Sequence, residues 1–516
     1  MSTVLIVGAG PTGLVLAHWL ARRGVRLKLI DKALEPGTTS RAIGVQARTL
    51  ELYRQLGLAE DAVAAGIQFG TVHLWVRGEL KGRAEVGVMG RGLSPYPFLL
   101  SFPQDQHERL LIDRLRPLGV EVERGTELLG YQDTGRGIRA LVRRRDGSEA
   151  ELEADYIAGC DGAHSAVRHV MGVTFGGGTY ERMFYVADAA ISGPMADGQL
   201  HLALDEADLL AVFPMKGQGQ VRLIGTIRRE VEGQPAPTWE DISPGVGRRL
   251  RLTVERVNWF STYRVHHRVA DHFRHGRAFL AGDAAHIHSP AGGQGMNTGI
   301  GDAVNLGWKL AEVLGERADE SLLDTYEPER IAFARRLVAT TDNVFTFATR
   351  DGAVARGVRL QVAPRLVPWL LKRELVRRFM FRTVSQTLIR YRQSALSEGR
   401  AGEVHGGDRL PWVAELDNYA PLASLDWQVH VYGEVPPTLA HHCAARGVPL
   451  HRFEWKPGAA QAGLRRDALY LLRPDGYVAL ADPGASLPRL DRYLSVRGIS
   501  PGEGPTDRRP ASSLTA

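Results

Sequence analysis

Only two cysteines, Cys160 and Cys443, occur in 516 residues, and they form no C-x-x-C. A disulfide framework and a cysteine-based metal site are thereby excluded, and the sparse thiols suit a reducing cytoplasm. Lysine is scarce too: it supplies seven of the 64 basic residues, arginine the other 57. The formal charge of +6 is spread along the chain. No basic stripe with interleaved aromatics appears, which argues against a nucleic-acid partner. No run of about 18 apolar residues is present, so no membrane span is expected. The chain passes from Met1 directly into an apolar strand, without a basic leader. With 44% hydrophobic and 24% charged residues, what remains is a globular chain long enough for two or three domains.

What is present begins at the N-terminus. Val4-Leu5-Ile6-Val7 is fully apolar, as a buried parallel strand should be. Gly8-Ala9-Gly10-Pro11-Thr12-Gly13 follows at once and fits G-x-G-x-x-G. Gly8 permits the tight turn, Gly10 lets a pyrophosphate approach the backbone, and Gly13 allows close helix–strand contact. Residues 14–23 read as a helix whose N-terminal amides favour phosphate, and Gly24 ends it. A second strand, 25–30, leads to Asp31, an acceptor for a ribose 2′-hydroxyl. An acid there argues against a 2′-phosphate, so NADP is not what this fingerprint holds. Ser40-Arg41-Ala42 precedes an amphipathic helix with Leu50, Leu52, Tyr53 and Leu56 at helical spacing. Arg41 could clamp pyrophosphate oxygens there.

Two distant corners repeat the theme. A strand over 152–158 breaks into Gly159-Cys160-Asp161-Gly162, and Ser165 and Arg168 then share one face of a helix. Another apolar strand, 277–281, enters Gly282-Asp283; a Gly-dense stretch, 292–297, follows, and a helix is expected from about Gly299. A carboxylate at a strand end can bond a polyhydroxylated chain, and the glycines let backbone amides approach a flat ring. His286 and His288 stand at i, i+2 without a third ligand nearby, so no metal site is expected.

With GAGPTG at 8–13, CDGAHSAVR at 160–168 and GDAAHIHSPAGGQGMNTGIGDAVNLGWKLA at 282–311, and with SRA at 40–42 and Phe102-Pro103-Gln104, the chain resembles the class A flavoprotein aromatic hydroxylases, the para-hydroxybenzoate hydroxylase-like monooxygenases. The resemblance extends to about residue 395. It implies an α/β (α+β overall) fold: a Rossmann-like FAD-binding domain interleaved with an antiparallel-sheet substrate domain. Gly8, Gly10, Pro11, Thr12, Gly13, Asp31 and Lys32 would then hold the ADP half of FAD, with Arg41, Gln104 and Leu128 as further contacts. Gly282 and Asp283 would bond the ribityl chain, and Pro290, Gly293, Gly295, Met296 and Asn297 would border the isoalloxazine ring. Asp161, Gly162 and Arg168 would touch both FAD and a transient NADH or NADPH. No second G-x-G-x-x-G follows a strand, which fits a reductant that docks briefly and leaves. O2 would then add to the reduced flavin as a C4a-hydroperoxide and hydroxylate a phenolic or polycyclic polyketide ring. Baeyer–Villiger oxygen insertion beside a ketone and a catalytically lapsed flavin-binding or assembly protein stay open as alternatives. A flavin halogenase would need a W-x-W-x-I-P signature that the chain lacks.

The substrate wall is expected in strands 179–188, 199–204, 209–214 and 220–227, with 259–268 as a further strand. There Tyr263, Val265 and His267 alternate with Arg264, His266 and Arg268. His266 or His267 could serve a phenol, although a paired core or interdomain role is the blander reading. Residues 362–391 read as helical, apolar with interspersed Arg and Lys, and packed between the core and a following module; a membrane-surface helix is the rival reading. The Gly-rich stretch 397–408 reads as a linker. The segment Arg473-Pro474-Asp475-Gly476-Tyr477 resembles a hairpin turn of the C-terminal thioredoxin-like domain of phenol hydroxylases and polyketide oxygenases, here without a dithiol and so structural or dimer-forming. The expected division is therefore 1–176 and 274–395 for the FAD-binding part, with a hairpin near 70–100 lent to the substrate sheet at 177–273. A thioredoxin-like unit at 400–500 and a disordered tail from 501 complete it.

Overall fold

A computed structural model describes residues 3–37, 42–204, 209–227, 237–250, 252–289, 293–349, 357–362, 366, 369–370 and 372–502. Arg41, Pro290 and the tail from residue 503 lie outside them.

The strand Thr3–Val7 is the heart of a six-stranded sheet and is buried on both faces. It pairs in parallel with Arg26–Asp31 on one side and Tyr156–Gly159 on the other, and Ala278–Leu280 extends the latter. Val7 is level with both Ile30 and Gly159, and Gly159 is level with Leu280. The turns leaving these strands, at Gly8, Cys160-Asp161 and Gly282-Asp283, therefore emerge along one sheet edge. The carboxyl edge of such a sheet is where ligands bind. The helices Pro11–Arg22 and Gly295–Leu314 cover one face and pack closely, since a Cβ on Gly307 would come within 2.8 Å of the Trp19 Cβ. The long helix begins at Gly295, a turn earlier than Gly299, because Gln294 and Gly295 already take up the helical ladder. The run 152–158 divides into two strands, Glu149–Ala154 in a three-stranded antiparallel sheet and Tyr156–Gly159 in the parallel one.

An eight-stranded sheet follows, including Thr71–Val76 and Glu79–Glu85 lent from the N-terminal half. Its long strands Phe175–Ser192 and Thr253–Ala270 pair antiparallel. One face, with Tyr185, Ala187, Val212 and Leu223, is covered by Trp239, Ile242 and Val246 of the helix Trp239–Leu250. The other face carries Phe184, Asp188 and Arg222 and turns toward the parallel-sheet body. Phe213 packs on the main core there, and Arg222 donates to the Ala42 carbonyl at 3.0 Å.

The C-terminal unit has a thioredoxin-like sheet. Gln428–Tyr432 is parallel to Leu450–Phe453 and antiparallel to Leu469–Leu472, which pairs antiparallel with Val478–Asp482; the helices Pro437–Ala445 and Leu487–Val496 connect and close it. Residues 397–408 are not a linker. Glu398–Ala401 and Val404–His405 form a hairpin on this sheet's edge. Gly406 serves close approach, since a Cβ there would strike the Glu398 backbone, while Gly399, Gly402 and Gly407 take positive φ. Among the described residues of 362–391, residues 366 and 369–370 and the helix Glu374–Val384 are helical, and a π-turn at Val358–Val362 leads into the region.

The turn 473–477 docks this unit onto the body through buried charge. Arg473 donates to both Glu329 oxygens (2.7 and 3.0 Å) and to Asp475 (3.0 and 2.6 Å). Lys309 reaches Glu329 at 3.0 Å, and the Trp308 indole donates to Asp475 at 3.1 Å. Burial alone would push the Glu329 carboxyl up, but Arg473 and Lys309 outweigh it and hold it far below the usual carboxylate range.

Two other buried groups fold neutral. His18 bonds the Leu111 carbonyl and His107 the Tyr53 hydroxyl, and burial lowers their pKa values to about 4 and about 3. Below the free-imidazole value of 6.5 the unfolded chain binds protons that the folded one refuses. Stability is thus complete above 6.5 and falls as pH drops below it, by about 1.4 kcal/mol per pH unit for each histidine. Urea denaturation followed from neutral pH into this window should show the loss beginning below 6.5, and His18→Gln should reduce the slope by that residue's own share, about 1.4 kcal/mol per pH unit. A flat profile would contradict the assignment.

Candidate active site

The fingerprint turn is closed by contact. Gly8 takes φ +103°, and a Cβ on it would collide with the Cys160 carbonyl; one on Gly13 would collide with the Gly8 carbonyl. A Cβ on Gly10 meets nothing within 4 Å. The open side of the loop therefore lies at the helix N-terminus, where the pyrophosphate is expected. Pro11 opens the helix, and the Thr12 side chain fills the notch between Gly282 and Gly299. Asp31 accepts from the Ala9 and Ala33 amides at 2.7 and 2.8 Å, so its carboxylate is tied to the turn. Lys32 beside it is exposed. Gln104 opens the helix Gln104–Leu115; its amide donates to Glu108 and its backbone N–H to Ala42. The Leu128 side chain belongs to the core.

At the first corner, Asp161 Oδ2 accepts from the Ala166 and Val167 amides, while Oδ1 is buried without a partner among the described residues. Burial pushes this carboxyl above the usual range, against the hydrogen bonds from Ser165 and the helix amides. Gly162 takes φ +77° with open space where a side chain would stand. Arg168 is buried, stacked 3.9 Å from the Phe175 ring centre, and donates to the carbonyls of Ala163 (2.7 Å) and Ala284 (3.0 Å). It thereby staples the two corners together.

At the second corner Asp283 is exposed, whereas its neighbours Gly282 and Ala284 are buried. The corner hangs on a residue to which the sequence attached no role, Asp302. This fully buried carboxylate accepts from the Gly282 amide (3.0 Å), His286 Nε2 (2.7 Å) and Arg330 Nε (2.6 Å). Burial alone would raise it, but Arg330 and His286 keep it below the usual range. Its signal in the sequence is faint: one acid among several polar residues that the helix buries.

The expected ring-bordering residues come together at the head of that helix. Gly293 takes φ +60°, and Gly295 and Met296 are half-buried. Asn297 is buried and fully spent, donating to Gly44 and Gly293 and accepting from the Gln46 amide and Thr49 hydroxyl. It positions the backbone rather than offering a free group. His288 lies beside Gly295, its Nδ1 donating to the Ser289 carbonyl while Nε2 is buried without a partner among the described residues. Burial, then His286, lowers its pKa to about 4, so the neutral ring presents Nε2 as an acceptor. The Ser289 hydroxyl is likewise buried and has no partner among the described residues. Orphaned polar atoms and an open glycine cradle along one edge fit a large dinucleotide such as FAD.

The strand bearing His266 and His267 runs into this corner, since Arg268 pairs with Ile287 and Val269 with His286. His266 Nδ1 lies 2.7 Å from the Thr179 hydroxyl. His267 packs on Tyr180 and keeps a buried, unpartnered Nδ1 among the described residues. Phe184, Tyr263 and Val265 continue that apolar patch. The Asp188–Arg222 pair, bonded twice at 2.7 Å on the same sheet face, was not legible in the sequence.

One cluster elsewhere, His73, Asp197 and His201, has metal-like spacing. The Trp75 indole donates to His201 Nδ1, which places the imidazole proton on Nε2, aimed at Asp197. In that tautomer the nitrogen facing Asp197 carries a proton rather than a lone pair.

Against known proteins, a family model described as "FAD binding domain" matches residues 1–341. The chain is 34% identical to a 6-methylpretetramide 4-monooxygenase of Streptomyces rimosus, over 99% of this chain and 97% of that one. It is 33% identical to pentachlorophenol 4-monooxygenase of Sphingobium chlorophenolicum, over 66% of this chain and 64% of that one. Among solved structures, the OxyS anhydrotetracycline hydroxylase from Streptomyces rimosus superposes with a TM-score of 0.76 at 29% identity, covering 97% of this chain and 99% of that one.

The two acids at the second corner separate by experiment. Asp283→Ala should lower the FAD-to-protein ratio of the purified enzyme while leaving its melting temperature nearly unchanged. Asp302→Asn leaves Arg330 buried without its counter-charge and should lose both, with about 3–5 kcal/mol of stability gone. Full flavin retention in Asp283→Ala would displace that residue from the site.

Proposed function

Because the chain belongs to the FAD-dependent aromatic monooxygenases, we propose that it hydroxylates a fused-ring phenolic polyketide, taking electrons from NADH or NADPH and the oxygen atom from O2. The observation that carries this reading is the junction at Arg268–Ile287 and Val269–His286, which joins the aromatic patch of Tyr180, Phe184, Tyr263 and His267 directly to the Asp283 corner. A flat apolar substrate would lie on that patch, within reach of the head of the Gly295–Leu314 helix. The 6-methylpretetramide and anhydrotetracycline relatives match over nearly the full chain, whereas pentachlorophenol 4-monooxygenase matches over about two thirds.

FAD, when bound, accepts hydride and activates oxygen. The protein's own residues then have separable tasks. The Gly8–Gly13 turn and the helix dipole take the pyrophosphate, Asp31 the ribose side, and Asp283 the ribityl chain. His288 offers an acceptor to a ring N–H. Gly162 leaves the first corner open for a reductant that visits, and Arg168 holds that corner against the second. His267 is the group we assign to the substrate's phenolic proton, through the nitrogen left unpaired in the fold.

Stopped-flow reduction of the flavin by each nucleotide, with and without a panel of phenols and polycyclic polyketides, tests this. Acceleration by a polycyclic phenol, followed by a product one oxygen atom heavier, is expected. No acceleration across the panel would favour a flavin-binding protein without catalysis. His267→Gln should keep FAD and its reduction but slow product formation by about 100-fold; an unchanged rate would remove His267 from that task.

A further inference from the structure

The helix Glu374–Val384 is inverted relative to an ordinary surface helix. Its inward contact is Phe381, buried so tightly over Gly90 that a Cβ there would collide with the ring. Its opposite face carries Leu375 (83% exposed), Phe379 (64%) and Met380 (37%), where a solvated helix would be polar. Trp369, Leu366 and Val362, just before it, are about half exposed as well. Among the described residues these six make up half of the twelve large apolar side chains left in solvent, within 19 consecutive positions. Packing between the core and the C-terminal unit, the reading that the sequence favoured, accounts for Phe381 only.

The charge around this face is of one sign. Residues 372–382 contain Lys372, Arg373, Arg377, Arg378 and Arg382 against a single acid, Glu374. Glu374 is engaged by Arg378 at 3.3 Å, and the Arg373 guanidinium lies 5.2 Å from the Trp369 ring centre. An aromatic and aliphatic stripe flanked by cationic side chains is what a helix lying in an anionic lipid surface presents. A second copy of the chain is a poor occupant. A two-fold interface sets a patch against itself, and here the exposed cations Lys372, Arg373 and Arg378 would face their own copies.

We propose that this face docks the protein peripherally on an anionic phospholipid bilayer, with Trp369, Leu375, Phe379 and Met380 entering the headgroup boundary and the basic side chains meeting lipid phosphates. No span is involved, since no helix among the described residues is long and apolar enough to cross a membrane. Such docking would place the enzyme where a lipophilic aromatic substrate partitions, but it stands whatever the substrate proves to be.

The test is flotation of the full FAD-loaded protein with vesicles of phosphatidylcholine alone or mixed equally with phosphatidylglycerol. Co-flotation with the mixed vesicles only, released by high salt, is expected. Leu375→Ser/Phe379→Ser and, separately, Lys372→Gln/Arg373→Gln/Arg378→Gln should each lower the bound fraction about tenfold. These sites are exposed, so flavin content and circular dichroism should not change. Failure to float with anionic vesicles, equal flotation with both compositions, or undiminished binding by either variant would overturn the proposal. So would a dimer that Leu375→Ser/Phe379→Ser converts to monomer, or an acidic protein partner retained in place of lipid.

Discussion

The Asp302 carboxylate is the constraint from which the site is built. It sits on a helix, yet its partners come from elsewhere: a backbone amide of the second corner, the histidine just past it, and an arginine of the next helix. With two oxygens and three donors it leaves the turn at Gly282 one position, with Asp283 exposed beside it. Arg168 then carries that position across to the first corner. Segments more than a hundred residues apart are thus set against one another by a few charge-assisted hydrogen bonds, each strengthened by burial.

Arg330 and Glu329 are neighbours in the helix Tyr326–Thr349, and they face different clients. Arg330 holds Asp302 and donates to the Tyr391 hydroxyl at 2.7 Å. Glu329 receives Arg473 from the thioredoxin-like unit and Lys309 from the helix Gly295–Leu314. Arg473 also lies over the rings of Trp308, Tyr391 and Tyr477, each about 5 Å away. A buried ionic cluster of this kind adds little net stability compared with well-packed apolar residues. What it supplies is register, because only one docking of the 473–477 turn satisfies every charge.

The parts legible in the sequence were those whose chemistry is local. The strand 3–7, the glycine turn after it and both Asp–Gly corners declare themselves within a dozen residues, and the hairpin around Asp475-Gly476 does so by turn composition. Roles that depend on distant partners were not legible. Asn297 reads as a ring neighbour but is consumed by Gly44, Gln46 and Thr49, some 250 positions earlier. Residues 397–408 look like a linker because glycine and polar side chains suit both a loose chain and an edge hairpin, and only the partner strand Val478–Asp482 decides between them. On 259–268 the two-residue period separates the faces correctly but cannot say which face meets the flavin side. For 374–384 the periodicity shows an amphipathic helix without showing that its apolar stripe points outward.

The 473–477 turn also bears on how this enzyme can be recombined. A thioredoxin-like unit without a dithiol looks like a detachable appendage, and chimeras are commonly cut at such a boundary. Here the catalytic body carries a buried carboxylate, Glu329, that pairs with Lys309 of the body and takes its second cation, Arg473, from the appended unit. The two parts are therefore not interchangeable cassettes. A graft from a relative would have to bring its own arginine and aspartate into the same pair of positions, so the boundary that can be exchanged runs around this charge cluster rather than along the chain.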